Sequence, residues 1–185
     1  AVRYLRDSFP QMEVVQGDFL EIEPPEFDRF ISNVPYSISS PLLFHLLDMH
    51  FKRAVIMVQR EFAERMAAPA GDNEYSRLSV NVFYRADCKL LENGPRSRFW
   101  PEPEVDSTVV LLTPRPAPFP VRDEKHFLRL VDMLFQQRRK KIGTVLKQKR
   151  MFPEDRSGIP YLDERVERLT PAQIAELSDA LTTPS

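Results

Sequence analysis

The sequence predicts an α/β fold over residues 1–115 and a small all-helical unit over residues 121–185. Three observations carry this prediction. Short apolar runs alternate with helix-period segments as far as Leu112, the order that builds a sheet flanked by helices. Pro114-Arg115-Pro116-Ala117-Pro118-Phe119-Pro120 reads as a stiff linker and a natural boundary. Beyond it every apolar pattern has helical spacing. The chain has 185 residues, 42% hydrophobic and 29% charged, which is globular rather than disordered. A single cysteine, Cys88, excludes an internal disulfide and suits a reducing, cytoplasmic compartment. The longest apolar runs, such as Val55-Ile56-Met57-Val58, are too short to cross a membrane.

Taken in order, Met12 to Gln16 reads as a short strand that ends at Gly17-Asp18. Phe27 to Ser32 reads as a second strand, ending at Asn33-Val34-Pro35-Tyr36. Ser39-Ser40-Pro41 opens a helix, with Pro tolerated in the first turn and Leu42, Leu43, Leu46 and Leu47 on one face. Ala54 to Val58 is a strand of buried type, and Gln59 to Met66 continues as a helix. Gly71-Asp72-Asn73 marks a turn. A helix with apolar Leu78, Val82 and Phe83 follows from Tyr75. Cys88 to Leu91 and Thr108 to Leu112 form a hairpin-like pair of strands joined by a proline-rich stretch, Pro95 to Pro103. After the linker, Phe127, Leu128, Val131, Leu134 and Phe135 fall on one helical stripe. Thr170-Pro171-Ala172-Gln173 is a capping box that starts a last helix burying Ile174, Leu177 and Leu181.

Charge is distributed unevenly. The whole chain has net charge −1, yet residues 122–150 alone carry +7. The centre of this segment is Arg138-Arg139-Lys140-Lys141, followed by Lys147, Lys149 and Arg150. Such a segment is an electrostatic footprint for phosphates, although charge alone reads equally well as a solvated helix face.

Asn33-Val34-Pro35-Tyr36 sits at the carboxyl end of a strand, where open α/β sheets bind ligands. Its groups suit the methylation of an exocyclic base amine. That nitrogen is a poor nucleophile because its lone pair is delocalised into the ring. Two acceptors aimed at its two hydrogens favour a tetrahedral nitrogen and stabilise the charge that develops on attack. The Asn33 side-chain oxygen supplies one acceptor and the Val34 carbonyl, held by Pro35, the other. Tyr36 offers a face for an unstacked base. No strong general base is needed, since the amine becomes acidic once alkylated. The plainer alternative is a turn that merely ends a strand.

Asn33-Val34-Pro35-Tyr36-Ser37-Ile38-Ser39-Ser40-Pro41 resembles the fourth methyltransferase motif of the KsgA-type ribosomal RNA adenine dimethyltransferases, in particular their archaeal and eukaryotic branch. Gln16-Gly17-Asp18-Phe19-Leu20 resembles their strand-end segment, and Phe99-Trp100-Pro101-Glu102-Pro103-Glu104-Val105-Asp106-Ser107 their Phe-x-Pro-x-Pro-x-Val-x-Ser loop. Phe135 to Lys141 resembles the basic helix opening their C-terminal domain. The four segments stand in family order. The resemblance implies a partial Rossmann-like, S-adenosyl-L-methionine-dependent methyltransferase sheet, followed by a helical RNA-binding domain. It implies catalytic roles for Asn33, Val34, Pro35, Tyr36 and Phe99, with Phe99 holding the target base opposite Tyr36. It implies cofactor roles for Asp18, Phe19 and Asn33, and contacts to RNA phosphates from Arg138, Arg139, Lys140, Lys141, Lys147 and Lys149, set on helix turns beside the cleft. It implies dimethylation of two adjacent adenines in small-subunit ribosomal RNA, during ribosome biogenesis and on a pre-ribosomal particle.

Taken alone, Asp18 also fits a turn residue, Phe19 a core aromatic and Phe99 a ring packed under its loop. Trp100 is read as packing. Cys88 is expected in the core rather than as a nucleophile, and His45, His50 and His126 have no metal-like company. The sequence departs from the family pattern in two ways. Glu104 stands where the family often has Lys. No glycine-rich loop precedes Gly17, the first glycine. The chain is therefore expected to correspond to the C-terminal two-thirds of such an enzyme and, by itself, to bind the cofactor weakly or not at all and be inactive. The sheet is expected to expose apolar surface where further strands would pack. Two rival readings remain at this stage: a non-catalytic RNA-binding or ribosome-assembly module, and a related enzyme acting on large-subunit ribosomal RNA.

Overall fold

The computed structural model describes residues 2–152 and 157–182. Four strands form one sheet: β1 (Arg29–Asn33), β2 (Arg53–Gln59), β3 (Ala86–Gly94) and β4 (Ser107–Pro114), in the order β1-β2-β4-β3. β1 and β2 are parallel and joined through α2 (Ser39–Leu47), while β4 runs antiparallel to both β2 and β3. α1 (Val2–Ser8) precedes the sheet; α3 (Arg60–Ala67) and α4 (Arg77–Arg85) stand between β2 and β3. α5 (Glu124–Phe135), α6 (Ile142–Lys149) and α7 (Pro171–Leu181) complete the chain.

The sheet follows the alternation of its strands. Ala54, Ile56 and Val58 of β2 turn to one face and meet Val110 and Leu112 of β4 there. Leu42, Leu43, Leu46 and Leu47 of α2 cover that face, as their spacing predicts. β3 carries one extra residue, because Leu90 pairs with Val110 and Glu92 with Val109. This bulge at Leu91 accommodates two consecutive leucines in a strand that otherwise alternates.

The helical unit has its own core, in which Phe127, Leu130, Val131 and Leu134 of α5 pack with Ile142, Val145 and Leu146 of α6 and Ile174 and Leu177 of α7. The predicted capping box is in place: Thr170 N–H donates to Gln173 Oε1 at 2.9 Å, and Gln173 N–H donates to Thr170 Oγ1 at 3.3 Å. α4 serves both cores, which its apolar pattern alone does not reveal. Leu78 and Val82 pack under the sheet, whereas Val80 and Tyr84, about half a turn round the helix, pack with α5. The Tyr75 hydroxyl, in the segment that leads into α4, donates to the Leu169 carbonyl at 3.0 Å.

Two expectations are corrected and a third element gains contacts. Met12 to Gln16 is not a strand. Val15 is 52% exposed and no strand among the described residues pairs with the outer edge of β1, so this stretch has no ladder to join. The proline-rich linker is held by contacts along its length. Phe119 lies 5.4 Å from the Tyr84 ring and 6.0 Å from Phe127, and Arg115 N–H donates to the Arg85 carbonyl, so the linker is docked on α4 and α5. The basic run is not helical at its centre. Gln136 to Arg139 is a turn between α5 and α6, and Lys141 forms an isolated bridge with Arg165. The expected exposed apolar surface is present at the β1 edge, where Ile31 is 81% accessible.

Candidate active site

β1 ends at Asn33, opposite Met57 of β2, and the Val34 N–H adds one more bond to the Met57 carbonyl at 3.0 Å. Val34 is buried, so its side chain pins the turn to the sheet. Pro35 is extended (φ −57°, ψ 129°) and its carbonyl accepts from Ile38 N–H and from Ser39 Oγ. The chain then turns through Tyr36–Ile38 into α2. The turn leaves two acceptors unused. Among the described residues, neither the exposed Asn33 amide nor the Val34 carbonyl has a hydrogen-bond partner.

Tyr36 is fixed from the other side of the sheet. Its hydroxyl is hydrogen-bonded to Ser107 Oγ at 2.8 Å. Ser107 is the first residue of β4, pairs with both Gln59 and Gly94, and is fully buried. The loop between β3 and β4 closes the site. Arg96 braces it, donating its backbone N–H to Asp106 Oδ1 at 3.0 Å and a guanidinium N–H to the Glu104 carbonyl at 3.4 Å, and pairing with Glu102 at 3.1 Å. Between turn and loop lies a cleft of about 350 Å³, lined by Asn33 to Tyr36, Met57, Phe99, Trp100, Pro101 and Pro103. None of these side chains is charged; the polar side-chain groups are the Asn33 amide, the Tyr36 hydroxyl and the Trp100 indole N–H. This is the lining a neutral heteroaromatic ring requires, with acceptors at the mouth for its amine.

Of the expected site residues, Asn33, Val34, Pro35, Tyr36 and Phe99 all converge on the cleft. Phe99 is half-buried, with its ring edge resting beside Gly94. Trp100 corrects the sequence reading: it packs against nothing and is 97% exposed at the rim. Asp18 and Phe19 do not reach the cleft lining. Asp18 Oδ1 accepts from Leu20 N–H at 2.9 Å, an Asx-turn, while its other oxygen has no partner among the described residues. Phe19 is packed against Phe30 at 5.3 Å and against His45 at 5.7 Å. Ser107 is the residue that motif reasoning passed over. It closes the loop pattern as its final Ser, but its role as the tyrosine's anchor needs the β4 register to be seen.

The six expected phosphate contacts are unequal, and none lines the cleft. Arg138 is a half-exposed strut: its guanidinium donates to the carbonyls of Asn73 at 2.9 Å and Tyr75 at 3.3 Å and faces Glu167. Lys141 pairs with Asp163 at 2.9 Å, and Lys140 reaches Gln148 at 3.4 Å. Arg139, Lys147 and Lys149 are exposed and without partners among the described residues. Burial pushes the Cys88 thiol up to about 11, in keeping with a packing role. Among the described residues no group of His, Cys, Asp and Glu is placed to hold a metal ion, and no helix is long and apolar enough to cross a membrane.

A family model described as ribosomal RNA adenine dimethylase matches residues 3–183. The chain belongs to the ribosomal RNA adenine dimethylase family. It is 44% identical over 183 residues to the probable ribosomal RNA small subunit methyltransferase A of Methanosarcina acetivorans, a match covering 95% of this chain and 68% of that protein. The corresponding protein of Thermococcus gammatolerans is 40% identical, with 92% and 63% covered. The chain thus spans about two-thirds of the length of these relatives. Among solved structures, a dimethyladenosine transferase from Plasmodium falciparum superposes with a TM-score of 0.78 at 30% identity, covering 95% of this chain and 74% of that one. The 23S rRNA methyltransferase ErmE superposes with a TM-score of 0.69 at 27% identity, covering 97% and 77%. The Rossmann-like methyltransferase architecture expected from the motifs is therefore present, and the family uses S-adenosylmethionine as methyl donor.

Proposed function

We propose that the cleft at Asn33 is where a flipped adenine is dimethylated at its exocyclic nitrogen, on two adjacent adenines of small-subunit ribosomal RNA. The observation that carries the reading is the pair of unused acceptors, Asn33 Oδ1 and Val34 O, at the mouth of an uncharged aromatic cleft. The curated relatives named for the small subunit favour that RNA over the large-subunit alternative. The donor residues for the cofactor are met in part: Asn33 is open and Asp18 keeps one free carboxylate oxygen, whereas Phe19 is occupied in packing.

S-adenosylmethionine supplies an electrophilic methyl group. The chain's own residues do the rest. Tyr36, its ring held by Ser107, takes the face of the base. Asn33 Oδ1 and Val34 O accept from the amine and draw its lone pair out of conjugation. As the N–C bond forms, the methyl–sulfur bond of the donor would break and leave a neutral thioether, and both oxygens stabilise the positive charge on nitrogen. The alkylated amine is acidic and gives its proton to water without a strong base. The cleft must then accept the monomethyl amine, which keeps one N–H for one of the two acceptors. Residues 1–115 would act as the catalytic unit and residues 121–185 as the RNA-binding unit, with exposed Arg139, Lys147 and Lys149 meeting phosphates. The protein would work in the cytoplasm on the assembling small subunit.

The test is Asn33→Ala in the full-length protein. One acceptor aimed at a developing charge is worth about 3 kcal/mol, so transfer of labelled methyl to small-subunit RNA should fall about 150-fold. RNA affinity should stay within a few-fold. Unchanged transfer would remove Asn33 from the chemistry, and RNA binding without transfer in the unsubstituted protein would leave an RNA-binding module instead.

A further inference from the structure

The loop that closes the cleft carries two adjacent aromatic residues, and only one has a structural reason to be there. Phe99 has extended backbone (φ −113°, ψ 149°) and lays its ring on Gly94. In extended chain the next side chain leaves on the opposite side. Trp100 accordingly faces away from the hairpin and is 97% exposed while still lining the cleft beside Tyr36. An indole is the largest apolar side chain, and leaving it in water gains nothing for the fold. The segment that carries it is nevertheless braced, by Arg96 bound to Asp106, Glu104 and Glu102. An exposed ring on a held loop is a pre-positioned contact.

We propose that Trp100 stacks on the nucleobase adjoining the adenine seated at Tyr36. The inference rests on the cleft being the adenine site. A base that leaves its stack exposes a face of its neighbour in the strand. Trp100, at the rim of the cleft that receives the first base, is placed to cover that face. Stacking of this kind is tolerant of sequence, because every base has a π-face. The ring therefore tightens the grip on single-stranded RNA at the modification point without adding base readout.

The chain contains one tryptophan, so emission excited at the red edge of the indole band, where its five tyrosines do not absorb, reports this residue alone. The full chain is titrated with a single-stranded RNA octamer carrying two central adenines, and retention of labelled RNA is measured separately. Two further octamers are abasic, one at the adenine pair and one at the nucleotides flanking it. The expected result is quenching of Trp100 emission that tracks retention. Trp100→Ala should bind about 10-fold more weakly, equivalent to about 1.4 kcal/mol, and Trp100→Phe should recover most of the loss. Removing the flanking bases should weaken the unsubstituted protein to the same extent and leave Trp100→Ala unchanged. The thermal midpoint should not move in either variant. RNA retained with unchanged emission, or retained equally by Trp100→Ala, overturns the stacking role and leaves the adenine site standing. Insensitivity to loss of the adenine pair, or no retention at all, overturns both.

Discussion

The hydrogen bond between Tyr36 and Ser107 ties the turn that offers the acceptors to β4, and a double-mutant cycle measures it. The bond is 2.8 Å long, Ser107 is 1% exposed and Tyr36 is half-buried. Tyr36→Phe removes a bond with a net value of about 1 kcal/mol and strands a buried hydroxyl, so the total cost should be about 2 kcal/mol. Ser107→Ala should cost less, about 0.5–1 kcal/mol, because the tyrosine hydroxyl can turn to water. The double variant has no stranded group and should be close to Ser107→Ala, which gives a coupling energy of about 1–2 kcal/mol. Urea denaturation followed by circular dichroism reads all four proteins. The same cycle separates positioning from stability. Methyl transfer should fall about 10-fold in Tyr36→Phe, and restored stability in the double variant should not restore it, because the ring has lost its anchor. Costs that add to within about 0.3 kcal/mol, or transfer that recovers with stability, would refute the assignment of Ser107 as the residue that places the ring.

The basic segment makes a divided prediction. Arg138→Ala should lower the unfolding free energy by about 1–3 kcal/mol through its lost bonds to Asn73 and Tyr75, while Arg139→Ala should leave it within about 0.5 kcal/mol. Replacing Arg139, Lys147 and Lys149 together should instead flatten the salt dependence of RNA binding, by about 2 in the logarithmic slope for a single strand. Equal melting of the two single variants, or an unchanged slope, would contradict this division. Cys88 gives a pH prediction. Its folded thiol is raised to about 11 from a usual value of 9, so the fold favours the protonated form. The stability this contributes is whole below pH 9 and is lost as pH rises towards 11. Cys88→Ala should therefore show a smaller drop in urea midpoint over that range. Aromatic disulfide reagents should label Cys88 far more slowly in the folded protein than in urea, and equal rates would contradict the burial argument.

The chemistry of the site was legible wherever it depends on residues adjacent in the chain. Asn33, Val34, Pro35 and Tyr36 lie in one tight turn at a strand end, so their convergence follows from local geometry and the strand prediction together. The loop motif put Phe99 at the same place. Asp18 and Phe19 were less legible because their position depends on a segment that joins no strand. Local propensity can nominate Met12 to Gln16 as extended; only an available sheet edge can make it a strand. The basic run misled for a related reason. Its charges are contiguous in sequence, but the turn between α5 and α6 spreads their directions, so Arg138 points inward to two carbonyls and Arg139 outward.

Reading along the chain was enough for the four strands that form the sheet, the apolar faces of α2, α5 and α7, and the chemical identity of the acceptor pair. These depend on periodicity and on contacts between near neighbours, which the chain encodes position by position. Only the tertiary structure decided which of two adjacent aromatic residues rests on the hairpin and which stands in solvent. It also decided that α4 feeds two cores and that Ser107 holds the tyrosine 71 residues before it. Those outcomes are set by strand register and helix packing between distant segments. A burial pattern read along one chain cannot supply them, because the partner surface is missing from it.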